Sequence, residues 1–227
     1  AVVSLGAGGI ALVDIAGNES ARIVERTNHA KIPADALSFD DVRAVAQAAN
    51  PLPQLDRPLW TLGALARSAM IVGALEWVLE QSVQYANDRV QFGKPIGKNQ
   101  ALQQQLALLA GDVAAARMAT LVAMNDAPSP GSTDCSSTVF SAAVAKIRSG
   151  EAATRATSIA HQVHGAIGFT YEHMLNFGTR RLWAWREEFG SDSWWAERLG
   201  RAAITGRSAA FWKGLTQRRF EAGIRTA

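Results

Sequence analysis

The sequence predicts a mainly α fold: an antiparallel bundle of long helices preceded by a small, incomplete β-domain. Three observations predict it. Beyond about residue 60, apolar side chains recur at steps of three and four, the period of a helix with one buried face. Pro and Gly clusters cut that pattern into long segments joined by short connections, as in an up-and-down bundle. Residues 1–50 instead carry short apolar runs between Gly, Asn and Pro, which reads as strands and turns.

Three strands are expected in the first region. Ile10 to Ile15 lies between Gly8-Gly9 and Gly17-Asn18; Arg22 to Arg26 is centred on Ile23-Val24; Leu37 to Val42 places Leu37 and Phe39 on one face against Ser38 and Asp40. Three such strands bury little alone, so residues 1–50 are expected to be part of a β-domain that needs a partner surface. Residues 51–58, with Pro51, Pro53 and Pro58, form the linker, and 59–227 the helical domain.

Leu62, Leu65, Ala69, Val72, Leu75, Leu79 and Val83 mark one face of the first long helix, which Gly93 and Pro95 stop. Leu102, Leu106, Leu109 and Val113 begin a second, ending before Pro128 and Pro130. A third runs from near Asp134 to His164, with Gly165 and Gly168 as its C-terminal punctuation. A fourth spans Glu172 to about Phe189, and a fifth runs from Ser193 to Gly214 or beyond.

Composition narrows the function classes. With 23 basic and 20 acidic residues the net charge is +3, and no dense basic block marks a nucleic-acid surface. One cysteine, Cys135, excludes an internal disulfide framework or cysteine-rich zinc site and fits a reducing, cytoplasmic setting. No uninterrupted apolar run of about 18 residues is seen, so no membrane span is expected. No charged segment followed by an apolar one opens the chain, so no signal peptide is expected. The start on Ala1 rather than Met suggests further residues upstream.

Several candidate sites have plain readings. Gly6-Ala7-Gly8-Gly9-Ile10-Ala11 loosely matches a dinucleotide fingerprint, but it precedes a strand instead of opening a helix. His161 and His164 share a helical face without a third metal ligand. Cys135 has no His near it in sequence, and no G-x-S-x-G elbow is present. Trp183, Trp185, Trp194 and Trp195, with Phe177 and Phe189, read as core or interface packing. Arg180, Arg181 and Arg186 interleave with them and read as partner or intra-bundle contacts.

The stretch from Tyr85 to Gln100 differs in kind. Arg89 closes a helix, Phe92-Gly93 and Pro95 turn the chain, and a second helix opens near Gln100. An arginine in such a corner can grip a phosphate or carboxylate with two parallel hydrogen bonds. Phe92 can cover a ring, and a glutamine can read polar ring edges. A purely structural helix–turn–helix fits the spacing equally well.

This stretch resembles the Y-x-x-x-R-x-x-F-G-x-x-I-x-x-x-Q signature of the flavin-dependent acyl-CoA dehydrogenases. Downstream, Gln162-Val163-His164-Gly165-Ala166-Ile167-Gly168-Phe169 resembles the family's Q-x-x-G-G-x-G-[FY], with Ala166 in place of the second glycine. The resemblance covers residues 57 to about 215 and implies an acyl-CoA dehydrogenase-like bundle behind a partial middle β-domain. The family's N-terminal helical domain has no counterpart in these residues.

The resemblance implies FAD as cofactor and roles for particular residues. Arg89 would hold the FAD pyrophosphate in a neighbouring subunit's site. Gln91 and Phe92 would flank the adenosine, and Gln100 would support the hairpin or the cofactor. Gln162, Gly165 and Ala166 would lie along the adenine and pyrophosphate path. The reaction needs a carboxylate base, which the family places at one of two positions. Counted without gaps from Gly168, the first falls on Phe189; counted back from Tyr85, the second falls on Gly63. Neither is an acid, and a one-residue slip makes Glu188 the fallback. Phe169-Thr170-Tyr171-Glu172-His173 also resembles the subgroup acting on steroid or cholesterol side-chain CoA thioesters, in which unlike subunits form α2β2 assemblies. The expectation is thus a base-less subunit that completes the FAD site of an unlike partner. The expected substrate is an acyl-CoA and the expected acceptor an electron-transfer flavoprotein. The alternatives are a self-sufficient homomeric enzyme using Glu188, or a structural or regulatory bundle without flavin.

Overall fold

A computed structural model describes residues 1–5, 9–16, 20–129, 134–205, 208–220 and 224. Residues 6–8 of the glycine cluster and the Gly17-Asn18 turn lie outside the described residues. Among the described residues the β-region holds five strands where three were expected. β1 (Val2–Ser4), β2 (Gly9–Leu12) and β5 (Ala46–Ala49) form an antiparallel sheet in the order β1-β2-β5, with Ile10 opposite Ser4 and Ala48. β3 (Ala21–Val24) and β4 (Ala36–Phe39) form a separate hairpin. β5 went unseen because Ala-Gln-Ala-Ala has neither β-branched residues nor alternation.

The expected strands also end early. At β2 the Asp14 Oδ1 accepts from Ala16 N at 3.1 Å, an Asx turn; after β4, Asp41 takes a left-handed φ of 50°. Ile23 and Leu37 remain exposed, so the hairpin's apolar face is uncovered within this chain. The 51–58 segment is anchored: Leu52 and Leu55 bury against Cys135.

The bundle consists of α1 (Pro58–Asp88), α2 (Gln100–Asn125), α3 (Ser136–His164), α4 (Leu175–Glu187), α5 (Asp192–Thr205) and α6 (Ser208–Thr216). Pro58 opens α1, a position where its missing N–H costs nothing. α3 is the hub, packing on α1, α2, α4 and α5. Its buried positions are mostly small, including Ala142, Ala145, Ala152 and Ala156, so four neighbours can approach its backbone.

Three expectations need correction. The buried face of α1 includes Thr61, Ala64, Leu65, Ser68, Ile71, Val72, Leu75, Val78 and Ser82, while Leu62, Ala69 and Val83 are exposed. The serines shift the face because their hydroxyls bond back to the helix, Ser68 to Ala64 O at 2.9 Å and Ser82 to Val78 O at 2.7 Å. The fourth helix starts later than expected: Asn176 Nδ2 donates to Thr170 O and His173 O and holds residues 170–174 in a turn. The fifth helix is two, α5 and α6. α1 and α2 also contain 18-residue windows of mean hydropathy 1.5 and 1.6, so length and composition do permit a membrane span. Dispersed Ala, Leu and Val reach that average without an uninterrupted run. In this fold both serve as bundle helices.

Candidate functional site

α1 stops where its backbone turns outward at Arg89, whose N–H still reaches Tyr85 O at 2.9 Å. β6 (Val90–Gln91) then pairs with β7 (Lys94–Pro95) across a two-residue loop. Phe92 and Gly93 both have positive φ, 51° and 77°, the signature of a type I′ turn. Glycine accepts that geometry freely; phenylalanine does not. The Phe92 side chain is also 99% exposed. An aromatic residue so exposed, in a left-handed conformation at a hairpin tip, adds no core packing among the described residues.

The hairpin is braced. Ile96 N donates to Arg89 O at 2.9 Å, Asn99 Oδ1 caps α2 by accepting from Ala101 N at 3.0 Å, and Gln103 Nε2 donates to Gly97 O at 2.9 Å. Facing it is the end of α3, where Gly165 takes φ 63° and ψ −146°, a conformation open only to glycine. The Tyr85 ring stacks on His164 at 4.4 Å and ties the end of α1 to the end of α3.

Together these segments line a pocket of about 520 Å³. Arg89, Gln91, Phe92, Gln162, Gly165 and Ala166 all line it, so the two motifs meet in space. Gln100 lies outside the lining as the first residue of α2; Gln103 supports the hairpin. The sequence reading did not name Tyr85, Lys94, Asn99 or His164 as lining residues. Lys94 is one residue from the turn, and its position opposite Gln91 was the available signal. Arg89 and Lys94 are both cationic and no carboxylate lines the pocket, which suits an anion such as a pyrophosphate. Aromatic, amide and glycine backbone surfaces beside them suit a nucleotide. The residues present therefore fit FAD's adenosine and pyrophosphate portion.

His161 and His164 are used in packing. His161 stacks on Phe169 at 4.1 Å and its Nε2 pairs with Thr179 Oγ1 at 3.0 Å. His164 Nδ1 donates to Ala160 O at 2.8 Å, and burial pushes both imidazoles below their ordinary pKa. Among the described residues no three His, Cys, Asp or Glu side chains group as a metal site. The Cys135 thiol is buried, which raises its pKa.

The two positions expected for a catalytic base also meet, with neither holding an acid. A methyl group on Gly63 would lie 2.4 Å from Phe189 Cε1. The Phe189 ring thus occupies the space beside α1 that a side chain at residue 63 would need. Phe189 has a φ of 56°, its carbonyl accepts from Trp195 Nε1 at 3.0 Å, and its ring meets Trp60 edge-on at 5.9 Å. Trp60, Trp194 and the fully buried Trp195 complete this plug. The expected aromatic cluster is therefore two: Trp183 is exposed under Arg186, and Trp185 lies elsewhere along α4.

Glu188 is committed to other contacts. Its carboxylate pairs with Arg67 Nε and accepts from Asn28 Nδ2 at 3.3 Å, which joins the β-region to α1 and the end of α4. Arg180 makes a second such link, to His29 O at 3.2 Å, and Arg186 pairs with Asp192 at 3.1 Å.

The plug makes a prediction with a change of sign. Gly63→Ala improves helix propensity by up to about 1 kcal/mol, but overpacking against Phe189 costs about 1–3 kcal/mol. The substitution should destabilise the native chain and stabilise a Phe189→Ala background, measured by urea unfolding. The same sign in both backgrounds would refute the contact.

The comparisons with known proteins agree with this fold. Residues 60–210 match the family description "Acyl-CoA dehydrogenase, C-terminal domain". Acyl-CoA dehydrogenase IpdE2 of Mycolicibacterium smegmatis is 39% identical over 126 residues, 56% of this chain and 37% of that protein. The probable acyl-CoA dehydrogenase YngJ of Bacillus subtilis is 35% identical over 152 residues, 64% of this chain and 37% of that one. The ChsE4-ChsE5 complex of Mycobacterium tuberculosis superposes with a TM-score of 0.76 at 23% identity, covering 88% of this chain and 53% of that one. The Tcur3481-Tcur3483 steroid ACAD does so with a TM-score of 0.71 at 27% identity, covering 85% and 51%. The chain spans under two fifths of these curated relatives and about half of the matched structures. With the family match covering most of its helical region, the chain belongs to the acyl-CoA dehydrogenase family.

Proposed function

We propose that this chain is a supporting subunit of a heteromeric, FAD-dependent acyl-CoA dehydrogenase. It completes the flavin site of an unlike catalytic subunit that desaturates an acyl-CoA thioester with a steroid or cholesterol side chain. One contrast carries the reading: the hairpin pocket keeps its cations and glycine backbone, while both base positions are lost to Gly63 and the Phe189 ring. When bound, FAD supplies the acceptor for the substrate's β-hydride. Arg89 and Lys94 hold the anionic portion, Phe92 and Gln91 cover the nucleoside, and Gln162, Gly165 and Ala166 form the opposite wall. A matched structure named as a steroid ACAD with two paired components supports the heteromeric and steroid parts. An electron-transfer flavoprotein as acceptor and a cytoplasmic setting belong to the same reading.

The test is native mass spectrometry of the chain purified from its host, with turnover of a Glu188→Gln variant. An unlike dehydrogenase partner, bound FAD and turnover within about twofold of the parent are expected. A homo-oligomer with one FAD per chain, losing about 100-fold or more in Glu188→Gln, would instead establish Glu188 as a general base. A complex without flavin would refute both enzyme readings.

A further inference from the structure

A second pocket, of about 320 Å³, opens on the seam between α1 and α4. It is distinct from the hairpin pocket and shares no lining residue with it. Trp77 forms one wall, and Gly178 sets its position: a methyl group there would come 2.5 Å from Trp77 Cζ3. The indole therefore rests directly on the α4 backbone. Phe177 and Trp185 add aromatic surface. Met70 and Met174 add exposed thioethers; the Met70 sulfur accepts from Arg67 Nη1 at 2.8 Å, and Met174 is free to adapt around an apolar body. The volume equals about ten water molecules at liquid density, at the small end of ligand sites.

Arg181 is the only charged residue in the lining. Its Nη1 donates to Phe177 O at 3.2 Å, and among the described residues no carboxylate pairs with it. A guanidinium has five N–H donors, so most of its capacity is open to an acceptor. Flat aromatic walls, adaptable thioethers and one cation without an acid specify a particular kind of molecule.

We infer that the α1–α4 groove is a binding site for a flat, apolar carboxylate, its rings against Trp77 and its carboxylate on Arg181. This goes beyond the flavin-support reading and stands or falls without it, because it is read on this chain's own binding and not on turnover.

The probe is 1-pyrenebutyrate, with neutral 1-pyrenebutanol as its control. Both are titrated into the full chain while pyrene emission sensitised by tryptophan is followed. Saturable binding of the carboxylate is expected below about 1 mM, the weak end of specific association. Arg181→Met should weaken 1-pyrenebutyrate about tenfold, the scale of a charge-assisted hydrogen bond, and leave 1-pyrenebutanol within about twofold. Ala74→Trp, which fills the groove, should abolish both. Met174→Glu, at an exposed rim position, should weaken the carboxylate without lowering thermal stability, so it remains informative if Ala74→Trp does not fold. Absence of saturation, or saturation indifferent to Arg181→Met and Met174→Glu, would overturn the site.

Discussion

Arg89→Ala is expected to strip flavin from the assembled complex. Truncating one partner of an interfacial charged hydrogen-bond pair costs about 2–5 kcal/mol, so the FAD dissociation constant should rise by about 30-fold to well over 1,000-fold. Flavin absorbance per complex after gel filtration reads this directly. Arg89→Lys should recover only part of the loss, because an ammonium cannot present the two parallel donors of a guanidinium. The hairpin should survive both substitutions, since its bracing runs through the Arg89 backbone, Asn99 and Gln103. Unchanged flavin content in Arg89→Ala would refute the assignment of the pocket.

Lys146→Met is expected to produce the largest loss of stability. Lys146 is 0% exposed. Its ammonium donates to the carbonyls of Trp185 at 3.3 Å, Arg186 at 3.0 Å and Glu188 at 2.9 Å. These carbonyls lie at the C-terminal end of α4, where helix carbonyls run out of backbone donors; that of Trp185 also accepts from Glu188 N at 3.3 Å. Three donors meet three acceptors, and the positive charge sits at the negative end of the helix dipole. Removing the ammonium takes the donor from the Arg186 and Glu188 carbonyls, at about 1–3 kcal/mol each, and one of two donors from Trp185, offset by no longer having to bury a charge. A net loss on the order of 2–4 kcal/mol in urea unfolding is expected. A loss within ordinary surface-mutation scatter would show that the clamp does not hold the turn.

The same lysine gives a pH dependence of definite sign. Burial pushes its pKa from 10.5 down to about 8, against the raising influence of Asp192, Glu187 and Glu188. Between those values the folded chain binds fewer protons than the unfolded one, so this group's contribution to stability rises with pH across that window. Lys146→Met should remove that rise.

The long helices were legible because α1, α2 and α3 each repeat apolar residues at helical spacing between clear Pro and Gly stops. The phase of α1 was not, because Ser68 and Ser82 look polar in sequence and are buried through bonds to their own backbone. Strand β5 was hidden by its alanines. The hairpin pocket was readable through its two motifs, yet Lys94 and His164 joined it only once α1 and α3 ended side by side. That neither Gly63 nor Phe189 is an acid could be read along the chain. That each substitution accommodates the other could not, because 126 positions separate them and the fit is one of ring against backbone.

That fit has a directional consequence. In this geometry an aromatic ring at 189 requires the absence of a side chain at 63, whereas a bare position 63 makes no demand on 189. A smaller residue at 189 therefore opens room at 63, while glycine at 63 leaves residue 189 free to vary. A side chain enters at 63 at a cost in stability while the ring is there, and without that cost once the ring has gone. The pair is thus coupled in one direction: what position 63 tolerates depends on residue 189, and a bare position 63 sets no limit on 189.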